Sequence, residues 1–231
     1  MDIRNDGRCA IVTGSSSGLG LEISKSLLNS GFKVFGGSRS GTELEHDHFY
    51  DVELDITSEE SVEEFYETVR EFTHQIHLVV NNAGICLMSP LSETSLESFD
   101  LQMATNTRGP YLLFKHLEHF LIKEQTHIIS ILSTAAHYGY PNVSAYNVSK
   151  FGQLGLVESL KKEWKDHKLR FTNLFPGAID TPLWDKMGSK FSREKMLKSS
   201  DFMSVFNFVV HAPAVIQFPE ITFLHREGYL E

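Results

Sequence analysis

The chain has 231 residues, 41% hydrophobic and 22% charged, with a formal charge of −9. That length suits one well-buried α/β domain, and the acidic balance argues against nucleic acid or an anionic membrane as the main partner. No apolar run approaches the roughly 20 residues of a membrane span. The polar start from Met1 to Arg8 does not read as a secretory signal, and Cys9 and Cys86 read as packed thiols rather than a disulfide. A cytoplasmic protein is expected.

Short apolar runs alternate with amphipathic stretches, the pattern of a parallel sheet with helices on both faces. Strands are expected near Cys9–Thr13, Lys33–Ser38, Phe49–Val52, His77–Asn81, His127–Ser133, Arg170–Phe175 and Ile221–Leu224. Helices are expected over Gly18–Ser30, Ser58–Thr73, Leu96–Thr107, Gly109–Lys123, Ala145–Asp166 and Ser199–His211. Ser58 followed by Glu60 and Ser61 reads as a helix start. The expected fold is α/β, a doubly wound parallel sheet of about seven strands in three layers, forming one domain over 1–231. No repeat, low-complexity tract or linker divides it.

The first chemical signal is Gly14-Ser15-Ser16-Ser17-Gly18-Leu19-Gly20, set between the first strand and the helical pattern from Leu21 to Asn29. A strand, a Gly-rich turn and a helix N-terminus aim backbone N–H groups and the positive end of the helix dipole at a pyrophosphate. The spacing G-x-x-x-G-x-G differs from the commoner G-x-G-x-x-G. In both, the glycines serve a tight turn, close backbone approach and close helix packing. Read alone, this segment is equally a plain loop.

The second signal is Ser133 followed by Tyr146-Asn147-Val148-Ser149-Lys150. In a helix, Tyr146 and Lys150 share a face. A phenol holds its proton until about pH 10, and a neighbouring ammonium favours the phenolate. The pair is therefore expected to form a proton donor and acceptor that works near neutrality. Ser133, at the expected end of a strand, would hydrogen-bond the same substrate oxygen. The plain alternatives are an i,i+4 surface pair and a strand-end hydroxyl. Ser130 and Ser149 read as spectators.

Cofactor choice is read at the end of the second strand. A carboxylate about 20 residues past the Gly-rich turn would bind the ribose hydroxyls of NAD, and an arginine accommodates the extra phosphate of NADP. Here Ser38 and Arg39 occupy that place, and Arg forks well onto phosphate. NADP(H) is favoured over NAD(H), with Ser15, Ser38 and Ser40 as further donors, while Glu43 and Glu45 keep NAD open.

Thr13-Gly14-x-x-x-Gly18-x-Gly20, Asn81-Asn82-Ala83-Gly84, Asn106, Ser133, Tyr146-x-x-x-Lys150 and Pro176-Gly177 occur in that order. In order and spacing the chain resembles the short-chain dehydrogenase/reductase family in its compact single-domain form. The resemblance implies a Rossmann-like fold and an oxidoreductase that interconverts a carbonyl and a secondary alcohol, with Asn106, Ser133, Tyr146 and Lys150 catalytic. It implies nucleotide contacts from Gly14, Ser16, Ser17, Gly18, Leu19 and Gly20, and from Ser38, Arg39, Asp55 and Ile56. Asn82, Ala83 and Gly84 would form a cofactor wall, Pro176, Gly177, Ile179 and Thr181 would meet the nicotinamide end, and Tyr146 and Lys150 would also touch the cofactor. Asp55 is equally suited to cap a helix.

By the same resemblance, Asn106 holds a helix distortion and a water linking Lys150 to solvent, where the sequence alone leaves an amide bonding back to backbone. Residues 181–198 would cover a small carbonyl or alcohol substrate. A homodimer or homotetramer would form through the helices at Gly109–Lys123 and Ala145–Asp166. Two departures stand out: Ser130 replaces the Asn of many relatives, and Phe218 to Leu224 lacks their glycine-rich ending, which leaves the tetramer contact open. A nucleotide-sensing protein without catalysis is the competing class, and the complete set of four catalytic types argues against it.

Met88, Ala135, His137, Tyr140, Trp184 and Met187 are the pocket candidates and suggest a partly apolar substrate. The pairs His46/His48, His74/His77 and His116/His119 lack the Cys or acidic spacing of a zinc pattern, so no metal site is expected.

Overall fold

The computed structural model describes residues 7–186 and 192–228, with only the backbone at Asp185 and Lys186. The strands are β1 (Cys9–Thr13), β2 (Lys33–Ser38), β3 (Phe49–Glu53), β4 (Leu78–Asn81), β5 (His127–Ile131), β6 (Arg170–Pro176) and β7 (Glu220–Phe223). They form one parallel sheet in the order β3-β2-β1-β4-β5-β6-β7. The helices are α1 (Gly18–Asn29), α2 (Glu59–Phe72), α3 (Leu96–Met103), α4 (Gly109–Leu117), α5 (Ser144–Glu163), α6 (Leu183–Lys186) and α7 (Ser199–His211).

Strands covered on both faces carry near-continuous apolar runs, as Ala10-Ile11-Val12 and Leu78-Val79-Val80 do. On one face Ile23 and Leu27 of α1 join Phe202, Phe206 and Val209 of α7 over Val12, Val80 and Ile129. On the other, Phe65 and Val69 of α2, Leu113 of α4 and Val157 of α5 pack over Ile11, Val79 and Ile128. The edge strands β3 and β7 are only half-buried. α2 begins at Ser58, whose hydroxyl accepts from Ser61 N–H at 3.3 Å, with Glu59 and Glu60 in the first turn; both features satisfy the positive helix start.

The two helices expected on either side of Arg108 are one continuous rod. α3 runs through a π turn at Ala104–Arg108 straight into α4. Pro110 has no N–H to give the Asn106 carbonyl four residues earlier, and the wider turn, with Gly109 N–H bonded to Ala104 O, absorbs the mismatch. β5 ends at Ile131 rather than Ser133, and short 3₁₀ turns at Thr134–Ala136 and Arg193–Lys195 fall in stretches read as loops. Of the expected substrate cover, the described residues form α6, the Arg193–Lys195 turn and a bridge between Ile179 and Leu197. Met187 to Phe191 lie outside the described residues.

Candidate active site

The C-terminal strand ends open on a cleft of about 1130 Å³, at the switch point where the strand order reverses beside β1. Its first half is built by backbone. Gly14 turns the chain after β1 with φ +70° and has Asn82 Nδ2 and Ala83 Cα against the position of an added Cβ. Gly20 packs so closely that its Cβ would stand 2.0 Å from Gly14 O. Thr13 ties the two central strands together: its Oγ1 accepts from the N–H groups of Asn82 and Ala83, each at 3.0 Å, and Asn82 Nδ2 donates to Thr13 O at 2.8 Å. Ser17 is the α1 cap residue in extended geometry and makes no side-chain cap bond, so the helix start faces the cleft with its N–H groups uncapped.

Ser38 and Arg39 line the cleft where β2 ends. Asp55, after β3, accepts from Thr57 N–H at 2.9 Å and Thr57 Oγ1 at 2.7 Å. Those hydrogen bonds, with help from Arg39 and Arg108, hold its carboxyl below the usual range. Asp55 lines the cleft wall and braces the turn before α2, whose cap is Ser58 rather than Asp55.

The second half is built by side chains. Tyr146 and Lys150 stand a turn apart on α5, and the Ser133 hydroxyl lies beside the Tyr146 phenol and acts to lower its pKa. Ser133 is held by its own turn, its Oγ accepting from Ala135 N–H at 3.1 Å. Lys150 is 4% exposed. Its Nζ donates to Ile131 O at 3.2 Å and Gln153 Oε1 at 2.9 Å and lies 5.8 Å from the Tyr146 ring centre. Asn106 sits in the π turn. It clamps Ile85 in both directions (Oδ1 from N–H at 2.9 Å, Nδ2 to O at 2.8 Å) and also donates to Ser149 Oγ at 2.9 Å. The same Ser149 hydroxyl donates to Tyr146 O at 2.7 Å, so Ser149 is a link between Asn106 and the tyrosine's backbone, not a spectator.

The electrostatics correct one expectation. The sequence places the Lys150 charge as the force that draws the phenol toward neutrality. In the folded chain burial and the neighbouring Cys86 push the Tyr146 phenol well above its ordinary value, and the Ser133 hydroxyl offsets this only in part. Burial brings the Lys150 ammonium down to about 8 and pushes the Cys86 thiol up to about 12. The physical reason is that the ammonium directs its hydrogens at Ile131 and Gln153 rather than at the phenol oxygen, while desolvation acts on all three groups. The protein alone keeps Tyr146 protonated.

Gly14, Ser16, Ser17, Gly18, Leu19, Ser38, Arg39, Asp55, Ile56, Asn82, Ala83, Gly84, Ser133, Tyr146, Lys150, Pro176, Gly177, Ile179 and Thr181 all line the cleft. Gly20 and Asn106 do not; they lie behind its wall and support it. Ser15 is also turned away, its Oγ against Gly36. Among the pocket candidates Met88, Ala135, Tyr140 and Trp184 face the cleft. His137 is outside it, with its ring 4.2 Å from that of Phe175, and Met187 is not described.

Residues absent from the sequence reading complete the second half. Asn147 Nδ2 donates to Ala135 O at 2.8 Å and Tyr138 O at 2.6 Å, and its Oδ1 accepts from Tyr140 N–H at 3.1 Å. It thereby fixes the 134–140 wall to the catalytic helix. Gln102 Oε1 accepts from Leu87 N–H at 3.0 Å and holds the segment carrying Cys86 and Met88. β7 also contributes: Gly177 N–H bonds Phe223 O at 2.8 Å, and His225 and Gly228 line the cleft.

These residues fit a nicotinamide dinucleotide. Ser38 lines the cleft, its buried hydroxyl has no protein partner, and the α1 start offers uncapped N–H groups for phosphate. A Cβ at Gly84 would stand 3.2 Å from Asn106 Oδ1 and 3.7 Å from Lys150 Nζ, so only a glycine leaves that wall open. An open parallel sheet with a dinucleotide crevice at its switch point and a Ser–Tyr–Lys cluster beside it defines an oxidoreductase.

Comparison with known proteins agrees. The chain matches the short chain dehydrogenase family over residues 8–191 and belongs to that family. It is 35% identical over 182 residues to a 3-amino-tetrahydro-pyrrolizinone reductase of Xenorhabdus hominickii, a match covering 76% of this chain and 63% of that reductase. An alcohol dehydrogenase of Thermococcus sibiricus, solved with 5-hydroxy-NADP, superposes with a TM-score of 0.86 at 26% identity, over 98% of this chain and 100% of its own. The 3-ketoacyl-(acyl-carrier-protein) reductase of Brucella melitensis, solved with NADH, gives 0.85 at 27% identity, over 96% of this chain and 98% of its own.

Proposed function

We propose that the protein is an NADP(H)-dependent oxidoreductase that reduces a carbonyl to a secondary alcohol, and runs the reverse, with Tyr146 as the proton donor and acceptor. The carrying observation is that Ser133, Tyr146 and Lys150 line one dinucleotide cleft, with Tyr146 one helical turn from Lys150. The bound nicotinamide supplies the hydride in reduction and, once oxidised, a positive charge beside the site.

Ser133 holds the substrate oxygen and polarises it. Tyr146 delivers its proton to that oxygen as negative charge develops there, and its raised pKa suits a group that must arrive protonated. Lys150 binds the ribose hydroxyls and returns a proton to the phenolate. Asn106 holds Ile85 and, through Ser149, the start of α5. Its main-chain carbonyl, denied a donor by Pro110, suits the water of a proton relay. Arg39 and Ser38 at the end of β2 support NADP(H) over NAD(H), since no carboxylate stands at that position.

Ile85, Met88, Ala135, Tyr138, Tyr140 and Trp184 give the pocket an apolar and aromatic character suited to a small, partly apolar ketone or alcohol. Exposed Leu101, Tyr111, Val148 and Phe151 on α3 to α5 support a homodimer or homotetramer. No helix among the described residues is long and apolar enough to cross a membrane, and the two free buried cysteines support a cytoplasmic site in a single-domain chain.

Tyr146→Phe removes the transferable proton and keeps the ring. Turnover of a carbonyl substrate should fall about 10²–10⁴-fold while NADPH binding by fluorescence titration stays near that of the parent. A phenylalanine variant that turns over normally removes Tyr146 from the mechanism.

A further inference from the structure

Behind Lys150, away from the cleft, lies a polar cluster that the chemistry above does not use. Asn81, Ser130 and Asn173 are neighbours across β4, β5 and β6, because the register pairs Asn81 with Ser130 and Ser130 with Asn173. Adjacent strands are about 4.8 Å apart, so the three side chains form a row. The row faces α5. Two residues earlier on the same strands, Val79, Ile128 and Phe171 pack with Val157 of α5, and Asn173 Nδ2 reaches Glu158 Oε1 on that helix at 3.3 Å. On the opposite face the flanking residues Val80, Ile129 and Leu174 are apolar, and the polar neighbour there, Thr172, is paired with His127.

Gln153 lies on the sheet-facing side of α5. It lies one turn beyond Lys150 and one turn before Val157, and its Oε1 accepts from Lys150 Nζ at 2.9 Å. Asn81, Ser130, Gln153 and Asn173 are each no more than 1% exposed. Yet Asn81 Oδ1 and Nδ2, Ser130 Oγ, Asn173 Oδ1 and Gln153 Nε2 meet no protein partner. Buried polar atoms are otherwise nearly always paired, with protein or with ordered water. Five such atoms gathered on one face, beside a buried ammonium, make a site for a small ligand that both donates and accepts.

We infer that this cluster is a buried hydration site serving Lys150: ordered water between Gln153 and the Asn81–Ser130–Asn173 row connects the amine to solvent at Glu158. Gln153 is the positioning residue. Its carbonyl fixes the ammonium and its amide N–H binds the first water. The inference rests on Lys150 acting in catalysis as proposed above. In carbonyl reduction Tyr146 gives its proton to the substrate oxygen, and Lys150 passes one to the phenolate. The neutral amine then takes a proton from water held at this cluster, a supply additional to the water at the Asn106 carbonyl, and the cluster's water is restored along the row from solvent. One proton enters at the surface for each proton delivered, and no electrons move on this path. Glu158 is the exit because it is half exposed while still bonded to Asn173 and paired with Lys161.

Burial has already brought Lys150 down to about 8, so both charge states are within reach near neutral pH. The titratable groups facing it are Tyr146 on its own helix and Cys86 from the segment after β4. Glu158 and Lys161 stand at the far end of the row.

The test follows Lys150 by NMR of ¹³Cε-labelled lysine in the full chain, with Lys150→Arg for assignment. Gln153→Leu removes the acceptor and should lower the Lys150 pKa by about one unit; Gln153→Glu places a carboxylate there and should raise it. With substrate, Gln153→Leu should cut kcat about tenfold and enlarge the solvent deuterium isotope effect, since proton return becomes slow, while NADPH affinity stays within twofold. Should that variant fold poorly, Ser130→Ala interrupts the row and should enlarge the isotope effect alone. A high-resolution crystal structure of the parent should show water on Gln153 Nε2 and Ser130 Oγ. Unchanged titration and isotope effects in these variants, or a dry cluster whose side chains bond one another, would overturn the inference. A parent enzyme that reduces no carbonyl with NADPH defeats the functional reading instead, and the titration and the water structure then decide the hydration site on their own.

Discussion

The two halves of the cleft are made in different ways. The half around Gly14, Ser17 and Asn82 is shaped by main chain: a left-handed glycine, a helix start, and strand ends locked by Thr13. The half around Ser133, Tyr146 and Lys150 is shaped by buried side chains that reach between segments far apart in sequence, as Asn147 does to Ala135 and Tyr140. A backbone-built site tolerates changes in side chains but none in clearance. A site built from side chains fails one hydrogen bond at a time. The two halves should therefore break differently.

The largest effect is expected from Gly20→Ala. The new methyl would meet Gly14 O at 2.0 Å and Asn82 Nδ2 at 2.7 Å, and the first of these is main chain that has no rotamer to escape into. Such overpacking should cost at least about 3 kcal/mol, read as a fall in the urea midpoint together with lost nucleotide binding. Wild-type stability in this variant would mean that the nucleotide half is softer than its geometry.

Asn147→Ala should come next. It strips partners from Ala135 O, Tyr138 O and Tyr140 N–H, and leaving buried groups unpaired costs about 1–3 kcal/mol each. The comparison predicts a split outcome: kcat/KM down roughly tenfold, a cost of about 1.4 kcal/mol, with Kd for NADPH unmoved. If nucleotide affinity falls equally, the two halves are not separable.

Arg39→Ala should cost the least stability and have the most selective effect. It removes a charge-assisted contact worth about 1.5–3 kcal/mol, so NADPH should bind about 10–100-fold more weakly while NADH is unaffected. Equal loss for both nucleotides would place Arg39 outside phosphate recognition.

The same contrast explains what the sequence could and could not disclose. The seven strands and the nucleotide turn are legible because each is local: an apolar run, a glycine spacing, a helix start. Even the helix boundaries at Ser58 and Ser199 follow from neighbouring residues. The joining of α3 to α4 is not legible, because Gly109-Pro110 reads as a break and only the π turn shows that it is absorbed. Asn147, Ser149 and Gln153 were passed over for a related reason. Each is an ordinary polar residue on a helix until folding buries it, and two of them meet partners 12 or 43 residues away, Ala135 for Asn147 and Asn106 for Ser149. The direction of the Tyr146 shift was misjudged because spacing reveals which charges are near and conceals how dry they are.

The return of the chain past β7 has a practical consequence for anyone handling the protein. With Gly177 bonded to Phe223 and His225 and Gly228 on the cleft rim, a fluorescent label or affinity handle attached at either rim residue would stand at the doorway of the reaction chamber, and kinetic constants from such a derivative should not be pooled with those of the unlabelled protein.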